Sequence, residues 1–387
     1  MTRPSPSLDL DYALRERRVL VCVGAGGVGK TTVAATLALR AAAEGRRAMV
    51  LTIDPARRLA NALGLERLGN VETSVDLARL RDAGVDPKGE LFATMLDLQR
   101  SWDDFIASHV PPGQREALMR NRFYQTLSSA LAGSQEYIAT ERLYEIHSRG
   151  EYDLLVLDTP PTSHALDFLD APRRILDFLD QGSLRAVAGP ALAAGRLGLK
   201  LMTLGGSVVG KALSRLTGTE TLEELTAFML EIQGTYGVFK DRAAKVKALF
   251  SSDDAAFVLV TSAHAANVDE AIFFHQRLVD EGIPVAGVVA NRVHPDFLDG
   301  APTPTAEELA AALATGGFAD PGRPRLSERL AVTLEESRAI AGSDRRSLER
   351  LARGTRPSPL REVPRFDSDL YDLPGLWEMG RHLLQRG

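Results

Sequence analysis

One short segment near the N-terminus predicts phosphate-binding chemistry. Residues 24–31 read GAGGVGKT and fit the pattern G-x-x-x-x-G-K-[ST]. Glycines let a backbone turn its N–H groups toward phosphate oxygens, and the N-terminus of a following helix adds positive potential. In such a loop Lys30 reaches the β- and γ-phosphates of a nucleotide, and the Thr31 hydroxyl binds Mg²⁺. We call residues 24–31 the phosphate loop; the alternative explanation is a chance glycine-rich turn.

Two carboxylates follow apolar segments and are candidates to act beside the phosphate loop. Asp158 ends the run 153–157 (DLLVL), and Asp54 follows the run 48–53 (AMVLTI). The carboxyl ends of parallel strands form the ligand-binding edge of an open α/β sheet. We therefore predict that Asp158 holds Mg²⁺, directly or through water, and that Asp54 orients or deprotonates a water molecule. For each aspartate the alternative is a helix N-cap.

The elements that must position these residues alternate between strand and helix. The phosphate loop lies between a predicted strand, residues 18–23 (RVLVCV), and an alanine-rich predicted helix, residues 32–44. A second predicted helix covers residues 269–280. Further apolar runs predict strands at residues 48–53, 91–96, 153–157, 256–261 and 284–290. This order predicts an α/β fold with a doubly wound, mostly parallel sheet.

The remaining segments give the predicted domain organisation. Residues 1–15 are predicted to form a polar N-terminal tail, and residues 16–170 the first part of the core, with a helical insertion at about 98–150. Residues 171–250 are predicted to form a helical subdomain. Residues 251–387 complete the core, with an insertion at about 295–326 that carries a capping box from Thr305 to Glu308.

Composition narrows the classes of function. The 387 residues carry a formal net charge of −5, which argues against nucleic-acid binding through the overall field of the protein. The one cysteine, Cys22, excludes an internal disulfide and a Cys-x-x-Cys zinc site. The N-terminus has no secretory h-region, and no uncharged run of eighteen apolar residues occurs. We therefore expect a cytoplasmic protein.

Three motifs together resemble a known family. Residues 24–32 (GAGGVGKTT), 52–62 (TIDPARRLANA) and 157–166 (LDTPPTSHAL) are similar to the phosphate loop, switch I and switch II of the ArsA family of arsenite-pump ATPases. Residues 363–376 (VPRFDSDLYDLPGL) also resemble the tail of that family. The family includes the ATPase that guides tail-anchored membrane proteins, and it is a branch of the dimeric P-loop group that also holds MinD and ParA.

The resemblance implies a fold of the P-loop NTPase type, with a helical subdomain inserted after switch II, and a dimeric switch that hydrolyses ATP with Mg²⁺. It implies catalytic roles for Lys30, Asp54 and Asp158, and Mg²⁺ binding by Thr31 and Asp158. The implied nucleotide-binding residues are Gly24, Ala25, Gly26, Gly27, Val28, Gly29, Lys30, Thr31, Thr32 and Asn291. Asn291 matches an asparagine that reads the adenine edge; the alternative is a polar turn residue after a strand. Glu270 matches a glutamate in the helix after the late strand, and His164 lies in switch II.

The phosphate loop departs from the family at Ala25, where a signature lysine usually crosses the dimer interface to the partner's phosphates. Two hypotheses follow. Either the chain hydrolyses ATP by itself, slowly or with Arg57 or Arg58 as a substitute cation, or it is a weakly or non-catalytic subunit. In the second case it forms a heterodimer with a paralogous ATPase that supplies the lysine; in the first case a homodimer is expected.

The resemblance also bears on what the ATPase handles. Residues 183–218 are rich in Gly, Ala and Leu and contain five basic and no acidic residues. They are expected to form a groove for a hydrophobic client protein, a peripheral membrane contact, or simply a packed helical subdomain. Arsenite binding is not expected because the family's cysteines are absent. A partition ATPase that binds DNA or membrane is a third hypothesis, which the net charge and the helical insertions disfavour.

Overall fold

The computed structural model describes most of the 387 residues. The described residues are 8–54, 58–121, 124–125, 134–159, 170–171, 236–318, 323–367, 370 and 372–384.

Eight strands form one sheet in the described residues. They are β1 (Val19–Val23), β2 (Arg47–Thr52), β3 (Thr73–Val75), β4 (Glu90–Met95), β5 (Leu154–Asp158), β6 (Ala255–Ser262), β7 (Val285–Val293) and β8 (Leu360–Pro364). The order across the sheet is β3-β4-β2-β5-β1-β6-β7-β8. Every neighbouring pair is parallel except β3 with β4, which is antiparallel. The predicted doubly wound, mostly parallel α/β sheet is therefore confirmed.

Helices cover both faces of the sheet. The described helices are α1 (Leu10–Glu16), α2 (Lys30–Ala43), α3 (Arg58–Ala62), α4 (Ala78–Asp82), α5 (Leu98–His109), α6 (Pro112–Arg120), α7 (Ser134–Arg149), α8 (Tyr236–Phe250), α9 (Ala265–Asp280), α10 (Ala306–Thr315), α11 (Arg323–Gly354) and α12 (Leu373–Leu383). One core cluster packs α1, α2 and α12 on one face. A second cluster packs α7, α8, α9 and α11 on the other. Strands buried on both faces must be apolar throughout, which is why β1 reads VLVCV.

The six strands predicted from apolar runs are all present, with ends that differ by up to three residues. The structure adds β3 and β8, which the sequence did not predict. Strand β3 has only three residues, and β8 (LREVP) is an edge strand with just one buried residue. Edge strands have one side open, so their sequences need no apolar run. The helical nature of residues 98–150 is confirmed where the structure describes them, in α5, α6 and α7.

The prediction of a polar tail over residues 1–15 is wrong from Asp9 onward. Asp9 caps α1 by accepting a hydrogen bond from the Tyr12 backbone N–H at 2.7 Å. Leu10 and Leu14 are then fully buried against the sheet core, with Leu10 beside Gly287 of β7. The charged residues that surround the two leucines, namely Asp9, Asp11, Arg15 and Glu16, hid this short amphipathic pattern.

Three further predictions concern the capping box, the insertion at 295–326 and the helical subdomain at 171–250. The capping box of Thr305 and Glu308 is present at the start of α10. Helix α11 begins inside the predicted 295–326 insertion and runs 32 residues to Gly354. Of the predicted helical subdomain at 171–250, only Ala171 and α8 lie within the described residues, and the segment 183–218 lies outside them. No described helix is long and apolar enough to cross a bilayer.

Replacing Leu10 tests whether α1 belongs to the core. Leu10→Ala removes a fully buried side chain, so we expect the free energy of unfolding to fall by about 2–5 kcal/mol. Denaturant unfolding monitored by circular dichroism measures this loss. The control is Arg15→Ala on the exposed face of the same helix, which should change stability little. Equal effects of the two variants would contradict the packing of α1.

Candidate functional site

A cavity of 1220 Å³ lies at the carboxyl edge of the sheet, where the phosphate loop joins β1 to α2. Its lining includes most of the phosphate loop, part of switch I and the residues that follow β6, β7 and β8. The lining residues include Gly26, Gly27, Val28, Gly29, Lys30, Thr31, Thr32, Asp54, Arg58, Asn291, Arg292, His294, Asp344 and Arg365. The position agrees with the rule that open α/β sheets bind ligands outside the carboxyl ends of their strands.

Two glycines of the phosphate loop combine a positive φ with a lack of space for a Cβ. Gly24 has a φ of 146°, and a Cβ there would lie 1.9 Å from the backbone oxygen of Val260 on β6. Gly29 has a φ of 97°, and a Cβ there would lie 2.2 Å from Nδ2 of Asn291. Both values belong to the left-handed side of conformational space that favours glycine. The loop therefore packs closely against β6 at Gly24 and against β7 at Gly29, just before α2 begins.

Lys30 opens α2 and is buried in the phosphate loop. Its Nζ donates hydrogen bonds of 2.9 Å to the backbone oxygens of Gly24 and Ala25. Burial lowers the pKa of Lys30, and the negative charges of Asp158 and Asp54 oppose that shift. The ammonium group thus occupies a fixed place under the loop, within electrostatic reach of both predicted carboxylates.

Asp158 ends β5 and is 1% exposed, so it does not reach the cavity surface, and it interacts with the Thr31 side chain. Its Oδ2 accepts a hydrogen bond of 2.9 Å from the Thr52 hydroxyl, while Oδ1 is buried without a hydrogen-bond partner among the described residues. Burial raises the pKa of Asp158 to about 6, and the hydroxyls of Thr31 and Thr52 and the charge of Lys30 oppose the shift. An unsatisfied carboxylate oxygen beside the Thr31 hydroxyl fits a hard cation such as Mg²⁺.

Asp54 lines the cavity two residues after β2. Its backbone N–H donates to the Thr52 hydroxyl at 3.2 Å, so the same hydroxyl that binds Asp158 also fixes the backbone at Asp54. Sequence reasoning missed Thr52 as a site residue. The one available sequence signal was its place near the end of a predicted strand; its register with Asp158 on the neighbouring strand β5 is visible only in the structure.

Asn291 connects β7 to the phosphate loop. Its Nδ2 donates a hydrogen bond of 2.8 Å to the backbone oxygen of Val28, and its Oδ1 accepts one of 3.0 Å from the backbone N–H of Arg292. The structure thus brings Asn291 to the cavity, as predicted, in contact with the loop itself. Its adenine-reading role stays a prediction.

One wall of the cavity was not foreseen from the sequence. Asp344 of α11 accepts hydrogen bonds from the backbone N–H of His294 at 2.9 Å and from its Nδ1 at 2.8 Å. Nε2 of His294 lies 3.1 Å from a guanidinium nitrogen of Arg365, which follows β8. Because arginine only donates, this arrangement assigns the proton of His294 to Nδ1. Arg365 lies in the segment 363–376 that resembles the family tail, but no local motif joins it to His294 and Asp344, which carry no sequence signal of their own.

The structure brings together most of the predicted site residues. Gly26, Gly27, Val28, Gly29, Lys30, Thr31 and Thr32 line the cavity with Asp54 and Asn291. Gly24, Ala25 and Asp158 lie behind this surface, and Ala25 is 9% exposed. Arg58 lines the cavity, whereas Arg57 and His164 lie outside the described residues. The arrangement can bind an anionic phosphate chain and a divalent cation side by side.

Replacing Gly24 tests the close packing of the phosphate loop against β6. We expect Gly24→Ala to lower the melting temperature more than Gly27→Ala does. Both glycines have positive φ, but only at Gly24 would a Cβ meet a backbone atom, whereas it would meet nothing within 4 Å at Gly27. Thermal unfolding of both variants without nucleotide measures the difference. Equal melting temperatures would contradict the close approach of the loop to β6.

Comparisons of the sequence with known proteins indicate one family. The family model for anion-transporting ATPases (ArsA ATPase) matches residues 17–303. The chain is 34% identical over 182 residues to a protein of Halobacterium salinarum assigned as an arsenical pump-driving ATPase, covering 46% of this chain and 27% of that protein. It is 26% identical to ATPase GET3B of Arabidopsis thaliana, covering 72% of this chain and 65% of the relative. It is also 26% identical to ATPase get3 of Aspergillus terreus, covering 74% and 76%.

The matched segments thus span less than two thirds of the first two of these relatives. The family model nevertheless covers well over half of this chain and includes the phosphate loop, both carboxylates and Asn291. The chain belongs to the ArsA family of anion-transporting ATPases.

Proposed function

We propose that the protein is a Mg²⁺-dependent ATPase that works as a nucleotide-driven conformational switch. The observation that carries this proposal is the burial of Lys30 within the phosphate loop, in electrostatic contact with Asp158 and Asp54. A cation, a metal-side carboxylate and a water-side carboxylate at one sheet edge are the parts that phosphoryl transfer to water requires.

The chain's own groups have distinct tasks in this proposal. The backbone N–H groups of the phosphate loop and the N-terminus of α2 bind the phosphate oxygens. Lys30 neutralises charge on the β- and γ-phosphates, for which its ammonium is already held beside the loop by Gly24 and Ala25. Burial strengthens this interaction because the surroundings screen charge less than water does.

Thr31 and Asp158 would hold Mg²⁺. The unsatisfied Oδ1 of Asp158 and the nearby Thr31 hydroxyl are suitable oxygen ligands, and Mg²⁺ keeps several waters when proteins bind it. When bound, the ion neutralises charge on the β- and γ-phosphate oxygens. Thr52 holds the other oxygen of Asp158, so the carboxylate is oriented before the ion binds.

Asp54 is the proposed base for the attacking water. It lines the cavity, and its backbone is tied through Thr52 to the metal-side carboxylate. A carboxylate in this position orients the water and accepts its proton as the water oxygen bonds to the γ-phosphorus and the bond from that phosphorus to the leaving ADP oxygen breaks.

The conformational change would be transmitted from Asp54 to helix α7. Ile53, the neighbour of Asp54, is buried in a small cluster with Leu96, which follows β4, and with Ala139, which belongs to α7. A movement of switch I that follows the γ-phosphate would therefore press on α7. We propose that the protein acts as a dimer and that the helical subdomain handles a hydrophobic client or contacts a membrane peripherally, as the resemblance to the targeting ATPases suggests.

A second candidate is a weakly or non-catalytic subunit of a heterodimer. It is favoured by Ala25, whose methyl side chain is buried and cannot supply a charge to a partner's nucleotide. In this case a paralogous ATPase would provide the lysine.

Steady-state ATP turnover with Mg²⁺ by the purified chain tests the ATPase proposal. We expect Lys30→Ala to abolish nucleotide binding. We expect Asp54→Asn to keep binding but to lower kcat by about 10²–10⁴, because the amide cannot accept a proton. The control is Asp241→Asn on the exposed surface of α8, which should leave turnover unchanged. Retained ATP affinity in Lys30→Ala would refute the role of the phosphate loop.

Ala25→Lys separates the two candidates. If the chain depends on a partner's lysine, the variant should speed turnover by its own homodimer by at least an order of magnitude. Turnover is measured as a function of protein concentration, because a dimer-dependent gain disappears on dilution. Vigorous turnover by the unaltered chain with no gain in Ala25→Lys would exclude the heterodimer candidate.

A further inference from the structure

Arg292 has an unusual backbone conformation at the edge of the cavity. Its φ of 58° makes it one of only two non-glycine residues with positive φ among the described residues. Left-handed conformations are costly for residues with a Cβ and tend to occur at functional sites. The side chain of Asn291 maintains this conformation because its Oδ1 accepts the Arg292 backbone N–H while its Nδ2 binds the backbone of Val28.

The consequence is that the Arg292 guanidinium lies against the phosphate loop. Its Nη1 is 3.4 Å from the backbone oxygen of Gly27, which is longer than an ordinary N–H···O hydrogen bond. The residue is exposed, lines the cavity, and forms no ion pair with a carboxylate of the described residues. The strained backbone therefore directs a cation to the loop and leaves its donors available.

The other cations that line the cavity are placed differently. Lys30 is buried and bound to two carbonyl groups under the loop. Arg365 is held by His294, which Asp344 fixes in turn. Arg58 begins α3, within switch I, on the side of Asp54. Of these side chains, Arg292 is the one with a guanidinium in contact with the outer surface of the phosphate loop.

We propose that Arg292 binds a phosphate oxygen of the nucleotide at the Gly27 side of the phosphate loop. This inference rests on the proposed ATPase function and adds a phosphate-contacting residue to it. The phosphate chain would lie between Lys30, which approaches from beneath the loop, and Arg292, which approaches from the end of β7. Charge-assisted hydrogen bonds from a guanidinium to phosphate are among the stronger polar contacts in proteins.

Calorimetric titration of ATP and ADP into four variants tests the contact. Arg292→Ala should weaken ATP binding roughly tenfold to a hundredfold, as expected for a hydrogen bond to a charged group. Arg292→Lys should recover a large part of the affinity because it keeps the charge. Arg292→Gly should lose affinity like the alanine variant, yet its melting temperature should be unchanged or higher because glycine relieves the strained φ. A merely structural role would instead lower the melting temperature.

The matched control is Arg365→Ala, which removes a guanidinium from the same cavity but from a position tied to His294. An equal loss in Arg365→Ala would mean that overall charge attracts the nucleotide, and it would overturn the specific contact. Unchanged ATP affinity in Arg292→Ala, with normal binding by the unaltered protein, would overturn the inference and leave the proposed ATPase standing. Failure of the unaltered protein to bind ATP would refute both.

Discussion

The burial of two opposite charges at the end of the central strands constrains the rest of this structure. An isolated charge costs several kcal/mol to bury, so Lys30 and Asp158 can stay ionised only with compensating partners. Gly24 and Ala25 carbonyls satisfy the ammonium, and the Thr52 hydroxyl satisfies one carboxylate oxygen. The ammonium's partners lie in the loop after β1, the carboxylate ends β5, and its hydroxyl partner ends β2. The site therefore exists only if β1, β2 and β5 keep their register.

That register is set by apolar packing. In the parallel sheet Asp158 is level with Cys22 on β1 and with Thr52 on β2. A slip of one residue would turn every side chain of β5 to the opposite face, which would move the carboxylate away from the loop. Because β5 is buried along its whole length on both faces, the packed cores on the two sides hold it in place. The packing that stabilises the core therefore also fixes the geometry of the site.

The same physics explains what the sequence could and could not predict. Strands buried on both faces are apolar runs, so β1, β5 and β6 could be located directly from the sequence. The closely spaced glycines followed by Lys30 predicted the phosphate loop. The edge strand β8 has no such run, and the buried leucines of α1 stand among charged residues. Contacts between distant residues leave no local pattern: Thr52 and Asp158 are 106 positions apart, and His294 and Asp344 are 50 apart. Only the folded chain brings such pairs together.

The cavity accordingly has two sides of different origin. The phosphate loop, Asp54 and Asp158 lie within the segment that matches the family, whereas Asp344 and Arg365 follow its end at residue 303. On the first side, Ile53 is packed against α7; on the second, His294 is tied to α11. A displacement of either side of the cavity would therefore disturb the packing against α7 or the hydrogen bonds to α11. A ligand that contacts both edges can change the equilibrium between two arrangements of α7 and α11. The size of that change is limited by the difference in the ligand's affinity for the two arrangements. The strained backbone at Arg292 lies between these edges, where the end of β7 is joined to the phosphate loop through Asn291.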